Sequence, residues 1–232
     1  MKIINDVEVL TTIHELVEPS RTAVLVVDVQ NSGLKSLAYE EPGFERRGTE
    51  ISNLAAVIPH IQRLLAAARS ASLFVAYAQW IDRTKGGVSL VNGPHLYCHR
   101  DDAEPNNVVE GSHEAQTIEE LKPQPGDYVF NKSWSSTFHH TGLDDVLRGR
   151  DIRSVIMVGC LTGGCVLKSA IDASHHNYYP VLVRDCVASY NQESHDLALR
   201  WLETKFPVFG SEEIETVWNE MTSEREKPLT KA

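Results

Sequence analysis

No apolar run in the sequence approaches the roughly 18 residues that a membrane-spanning helix needs. Basic residues are also scarce. There are 22 Lys and Arg against 32 Asp and Glu, a formal net charge of −10. Phosphate backbones and anionic membrane surfaces are bound by clustered cations, so neither nucleic acid nor a membrane is expected as a partner. The opening twenty residues, MKIINDVEVLTTIHELVEPS, carry acids throughout and lack an apolar stretch followed by a cleavage site, so they do not read as a signal peptide. Cysteines number only four, at 98, 160, 165 and 186, with no disulfide-framework spacing. That usage suits a reducing compartment, here the cytoplasm, where a thiol can do chemistry. No internal repeat or Gly/Ser/Pro-rich linker divides the chain, so one domain over residues 1–232 is expected. What the chain does have is a 42% hydrophobic share over 232 residues, enough for a full core.

That apolar content is organised as short strand-like runs alternating with helical stretches. Thr22–Val29 (TAVLVVDV) is apolar on both faces, as a buried parallel strand should be. Ile51, Leu54, Ala55, Ile58, Ile61, Leu65 and Ala68 then recur at helical spacing, with Pro59 expected to kink or restart that helix. Further strands are read at Leu73–Gln79, Tyr128–Asn131, Ser154–Val158, Val181–Val183 and Phe206–Phe209. Helices are read at Gln116–Leu121, around Leu143–Leu147, and at Val166–Ser174, Ser194–Thr204 and Ile214–Trp218. Between about Trp80 and Gly111 the pattern is irregular. Alternation of this kind builds a parallel α/β sheet covered on both faces, and such sheets bind ligands at the carboxyl ends of their strands.

Three polar residues sit at those ends. Asp28 closes the first run, and a carboxylate there either caps a loop or works with a partner. Lys132 follows the third strand in FNKSWSSTF, where a lysine can simply reach solvent. Cys165, in MVGCLTGGCVLKS, begins a helix after the fourth strand. Helix N-termini favour thiolate, although a free cysteine is most often a small buried hydrophobe. Gly163 and Gly164 bare backbone amides beside the sulfur, and Gly159 allows a tight turn. Taken singly each residue has an ordinary explanation. Together an acid, a cation and a thiol over one sheet edge are the equipment of nucleophilic catalysis.

In these segments the sequence resembles the isochorismatase-like cysteine hydrolases, the family that includes nicotinamidase, N-carbamoylsarcosine amidohydrolase, ureidoacrylate amidohydrolase and biuret hydrolase. The matching pieces are LVVDVQN (25–31), Lys132 in FNKSWSSTF, VGCLTGGCV (158–166) and VLVRDCVAS (181–189), in the family's order from about Thr22 to Phe209. The resemblance implies a three-layer α/β/α fold with a six-stranded parallel sheet in order 3-2-1-4-5-6. It implies Asp28, Lys132 and Cys165 as the catalytic triad, a cis peptide between Cys160 and Leu161, and backbone N–H groups of Leu161 and Cys165 as the oxyanion hole. Thr162 would brace that turn or cap the helix. No cofactor is implied, and homo-oligomers, dimers or tetramers, are common in the family.

The sequence departs from that pattern at two points. Gly163 stands where relatives usually carry Asp or Asn, removing a side-chain brace from the nucleophile loop. The Asp-x-His metal motif of nicotinamidases is missing, since QWIDRTKGG has no histidine two residues after Asp82. His95, Cys98 and His99 lack the rest of a zinc pattern, so no metal is expected. Pocket walls are expected from Asn31, Gln79, Trp80, Trp134 and Phe138, with ordinary core or loop roles as the competing explanation for each. Trp218 is a candidate for a subunit contact. The expected activity is cysteine-dependent hydrolysis of a C–N bond in a small linear amide, ureide or carbamoyl compound. Two alternatives stay open: hydrolysis of an isochorismate-type vinyl ether, and a non-catalytic interaction or thiol-sensing module on the same fold.

Overall fold

The structure is a computed structural model describing residues 1–32, 51–82, 84–85, 88–89, 108–189 and 192–226, with 51–54, 84–85, 88–89 and 224–226 described by their backbone alone. The histidines and cysteine at 95–99 lie outside the described residues. In chain order the strands are β1 (Lys2–Ile4), β2 (Val7–Val9), β3 (Thr22–Val27), β4 (Phe74–Trp80), β5 (Thr84–Lys85), β6 (Val88–Ser89), β7 (Tyr128–Lys132), β8 (Ser154–Cys160), β9 (Tyr179–Ala188) and β10 (Val208–Phe209). The helices are α1 (Ile13–Leu16), α2 (Ile51–Ser70), α3 (Leu143–Arg148), α4 (Leu167–His175), α5 (Gln192–Glu203) and α6 (Ser211–Glu226).

Six strands form one sheet in the order β10-β9-β8-β3-β4-β7, with every neighbouring pair parallel. Numbered among themselves from β7 inwards, they run 3-2-1-4-5-6, as the resemblance implied. β3 lies at the centre with all six residues buried, which is why its sequence is apolar without alternation. Its side chains still divide by the pleat. Val24 and Val26 enter a core with Ile61, Leu64 and Leu65 of α2 and Ile214 and Trp218 of α6. Ala23, Leu25 and Val27 enter the opposite core with Leu143 and Leu147 of α3, Ala170 and Ala173 of α4, and Leu202 of α5.

Four expectations change. Pro59 lies inside the single helix Ile51–Ser70, so the helix does not restart there. It sits on the exposed side, where water can replace the hydrogen bond that its missing N–H costs the preceding turn. The 116–121 segment makes a single bridge from Thr117 to Gln30 and one 3₁₀ turn, Glu119–Leu121, in place of an α-helix. Trp218 is only 1% exposed, and its indole N–H donates to the Val17 carbonyl at 2.8 Å, so it belongs to the core and not to a subunit contact. β9 runs to Ala188, well beyond Val183. Asp185 within it accepts hydrogen bonds from the backbone N–H and the hydroxyl of Ser211 at 2.8 and 2.6 Å, at the first turn of α6.

Among the described residues no helix is long and apolar enough to cross a membrane.

Candidate active site

Parallel pairing brings the carboxyl ends of β3, β4, β7 and β8 to one rim. Val27 pairs with both Ala78 and Gly159, and Trp80 pairs with Lys132. Asp28 is the first residue past β3. Its N–H still donates to Ala78 at 3.1 Å, but its φ turns to +51° and takes the chain out of the sheet. Lys132 is the last residue of β7, on the same face as the buried Phe130 two positions earlier. β8 shifts register against β9 between Met157 and Gly159. There Gly159 has φ +106°, and a Cβ would run into the Val27 carbonyl oxygen, so only glycine fits. The Cys160–Leu161 peptide that follows is cis.

Cys165 projects from the wide turn Thr162–Val166, in which the Leu161 carbonyl accepts from Gly164 N–H at 2.8 Å and from Val166 N–H at 3.2 Å. The second bond spans five residues, one more than an α-turn, a widening that is frequent at functional sites. Ser169 on α4 donates its hydroxyl to the Cys165 carbonyl at 2.6 Å and accepts from Thr137 N–H at 3.0 Å. The loop after β7 is thereby tied to the turn that carries the sulfur.

The three side chains meet. Lys132 Nζ donates to Asp28 Oδ2 at 2.7 Å, to Cys165 Sγ at 3.4 Å and to the Trp134 carbonyl at 3.2 Å. An ammonium has three protons, and all three are used. The Trp80 ring covers the same ammonium, its centroid 4.8 Å from Nζ. The Lys132 side chain is 0% exposed and that of Asp28 12%. Burial alone would lower the Lys132 pKa, but the Asp28 carboxylate foremost, with the Cys165 sulfur beside it, outweighs this and holds it above its ordinary value. Burial pushes the Cys165 thiol up to about 12; the Asp28 charge adds to this, and Lys132 opposes it only in part. Burial and the Asp28 carboxylate thus both disfavour the thiolate that a helix N-terminus would favour. Oδ1 of Asp28 is buried with no hydrogen-bond partner among the described residues, leaving a carboxylate oxygen able to receive a proton.

The other expected residues divide. Trp80 lies against the Lys132 ammonium, with its indole N–H donating to Asp82 Oδ1 at 3.1 Å. Trp134 contributes the carbonyl that Lys132 uses, and its ring meets His139 edge-on at 5.4 Å. Gln79, on the opposite face of β4, donates to Thr117 Oγ1 at 3.1 Å, and Asn31 donates to the His113 carbonyl at 2.9 Å. Both hold loops. Phe138 is buried in the core, stacked on His176 at 5.3 Å and tilted on Tyr178 at 5.8 Å, in the cluster against which Cys165 also packs. Thr162 is fully buried within the turn.

Sequence reasoning passes over three supports. Gln30 clamps the ends of β3 and β4, its amide donating to the Trp80 and Ala115 carbonyls at 2.9 and 2.7 Å and its carbonyl accepting from Trp80 N–H at 2.7 Å. Asp82 holds Trp80 and also accepts from Val108 N–H at 2.9 Å. His195 of α5 meets the hydroxyl of Thr162 at 2.8 Å. Only Gln30, polar beside a fully apolar strand, gives a local signal. Among the described residues no three His, Cys, Asp or Glu side chains gather to hold a metal.

Comparison with known proteins fits this arrangement. The family model described as Isochorismatase domain matches residues 22–213. Ureidoacrylate amidohydrolase from Methylobacterium radiotolerans is 33% identical over 201 residues, covering 82% of this chain and 76% of that protein. The ureidoacrylate amidohydrolase of Agrobacterium fabrum is 34% identical over 180 residues, covering 72% and 76%. Among solved structures, a cysteine hydrolase from Pseudomonas syringae pv. phaseolicola superposes with a TM-score of 0.71 at 27% identity, covering 87% of this chain and 94% of that one. N-carbamoylsarcosine amidase from Thermoplasma acidophilum shares the fold with a TM-score of 0.61 at 23% identity, covering 82% and 96%. The chain belongs to the isochorismatase-like hydrolase family.

Proposed function

We propose that the protein is a cysteine-dependent amidohydrolase that cleaves a C–N bond in a small linear amide, ureide or carbamoyl compound. The observation that carries this reading is the Lys132 ammonium bridging Asp28 at 2.7 Å and Cys165 at 3.4 Å on one rim of the sheet. The relatives named for ureidoacrylate hydrolysis support the substrate class.

In this mechanism Asp28 takes the Cys165 proton as the sulfur attacks the substrate carbonyl carbon. Because burial and the Asp28 charge raise the thiol pKa, transfer is proposed to accompany attack. Lys132 stays charged and offsets the negative charge that passes between sulfur and carboxylate. The developing oxyanion is received by the backbone N–H groups of Leu161 and Cys165. The C–N bond breaks as Asp28 returns its proton to the nitrogen, releasing ammonia or an amine and leaving an acyl group on sulfur as a thioester. Water then gives a proton to Asp28 and its oxygen to the acyl carbon. The C–S bond breaks, and the sulfur recovers the proton. Trp80 forms one wall of the substrate site.

The test is ammonia release from a panel of small amides, ureides and N-carbamoyl compounds by the wild type and Cys165→Ser. Release by the wild type, with loss in an equally stable Cys165→Ser, is the expected result. Turnover undiminished in the variant would overturn the assignment.

A further inference from the structure

The nucleophile turn has no side chain of its own at two of its five positions, Gly163 and Gly164, yet it must hold Cys165 against Lys132 and Asp28. What holds it comes from outside. Helix α5 approaches so closely that a Cβ on Gly163 would lie 3.2 Å from Ala198 Cβ and 3.8 Å from the Ser194 carbonyl oxygen. One helical turn before Ala198, His195 brings Nδ1 to 2.8 Å from the hydroxyl of the fully buried Thr162. No other side-chain partner of that hydroxyl is present among the described residues.

We propose that His195 is a positioning residue for the nucleophile: through Thr162 it fixes the 162–166 turn and hence the direction in which Cys165 attacks. This rests on the reading of Cys165 as the nucleophile. A neutral imidazole has one donor and one acceptor nitrogen, so Nδ1 pairs with a hydroxyl in either tautomer. Burial lowers the His195 pKa, against a smaller raising effect from Asp196, and so favours the neutral ring. The bond joins residues 33 apart in the chain and so ties α5 to the turn. An apolar residue at 195 would fill space but leave the buried Thr162 hydroxyl without that partner, in the turn that carries Cys165. The attacking atom needs alignment within a fraction of an ångström, so small displacements of the turn fall on the chemical step and spare substrate binding.

The experiment measures ammonia release and thermal stability for the wild type, Cys165→Ser, Thr162→Val, His195→Leu, His195→Asn and the double variant Thr162→Val/His195→Leu. His195→Leu is expected to lower kcat by about 10- to 100-fold with KM little changed, the signature of lost transition-state alignment. His195→Asn sets an amide at the place of Nδ1 and is expected to recover most of the loss. The double variant is expected to be no worse than the worse single variant, because both remove one bond. If Cys165→Ser abolishes turnover while His195→Leu retains wild-type kcat, the positioning role is overturned and the nucleophile stands. The positioning role is likewise overturned if Leu and Asn behave alike or if the two losses add. If the wild type releases no ammonia from the panel, or Cys165→Ser keeps its rate, the nucleophile assignment falls and the role of His195 with it.

Discussion

The ammonium of Lys132 and the carboxylate of Asp28 form a 2.7 Å ion pair in which the lysine side chain has no exposure to solvent and the aspartate 12%. β7 and β3 are not neighbours in the sheet, with β4 between them. The pair therefore spans a strand, and each charge is held in a place it could not occupy alone.

Removing one partner should be costly. Lys132→Met is expected to destabilise the protein by about 3–5 kcal/mol, because it strands the Asp28 charge. The double variant Asp28→Asn/Lys132→Met should recover a large part of that loss. Urea unfolding of the wild type, Lys132→Met and the double variant checks this. Equal loss in the single and double variants would show that the pair contributes little.

Asp28→Asn should move two readouts in opposite directions. Without a base, kcat is expected to fall by about 10²- to 10⁴-fold. The same change removes a negative charge that disfavours the thiolate, so Cys165 should be alkylated faster by iodoacetamide at pH 8. Peptide-level mass spectrometry reads that rate at Cys165 alone. Parallel loss of turnover and alkylation would mean that Asp28 ionises the sulfur already in the resting enzyme.

How legible each part of the molecule is depends on how many constraints meet at a position. Thr22–Val27 is readable because a strand buried on both faces leaves no choice but apolar residues. Asp28 and Lys132 stand out because each closes such a run at a strand end, and Cys165 because it lies in a glycine-containing turn shortly after one. β9 looks shorter in sequence than it is, since Arg184 and Asp185 break the apolar run, while pairing with β8 resumes after a register shift at Val187 and Ala188. The hairpin of β1 and β2 escapes notice because its side chains are mostly exposed, although Asn5 and Asp6, with φ of 49° and 62°, are residue types that tolerate such a turn. Phe138 is close to Lys132 in sequence, which suggests the pocket, but the chain turns it into the α3–α4 core. The Thr162–His195 bond has no local trace at all; it depends on where α5 lands.

The pH dependence of sulfur reactivity follows from burial. A thiol whose pKa is raised to about 12 stays protonated through neutral pH. The thiolate fraction, and with it the alkylation rate at Cys165, should climb about tenfold per pH unit from near pH 7.5 to near 10 without a plateau. A plateau reached by pH 8 would indicate a resting thiolate.

Asp82 should matter through Trp80. Asp82→Ala removes the acceptors of the indole N–H and of Val108 N–H. The substrate wall loosens, and KM is expected to rise by about 2- to 10-fold, the worth of one or two ordinary hydrogen bonds, with a smaller change in kcat. Steady-state kinetics on the best substrate of the panel measure it. An unchanged KM would remove Trp80 from the site.

The most direct test looks for the bond itself. The wild type is mixed with its best substrate and quenched in acid within the first turnovers, and its peptides are mapped by mass. The acyl part of the substrate is expected on Cys165, and Cys165→Ser is expected to show neither that adduct nor ammonia release. An acyl group on a different side chain, or full hydrolysis by Cys165→Ser, would contradict the account.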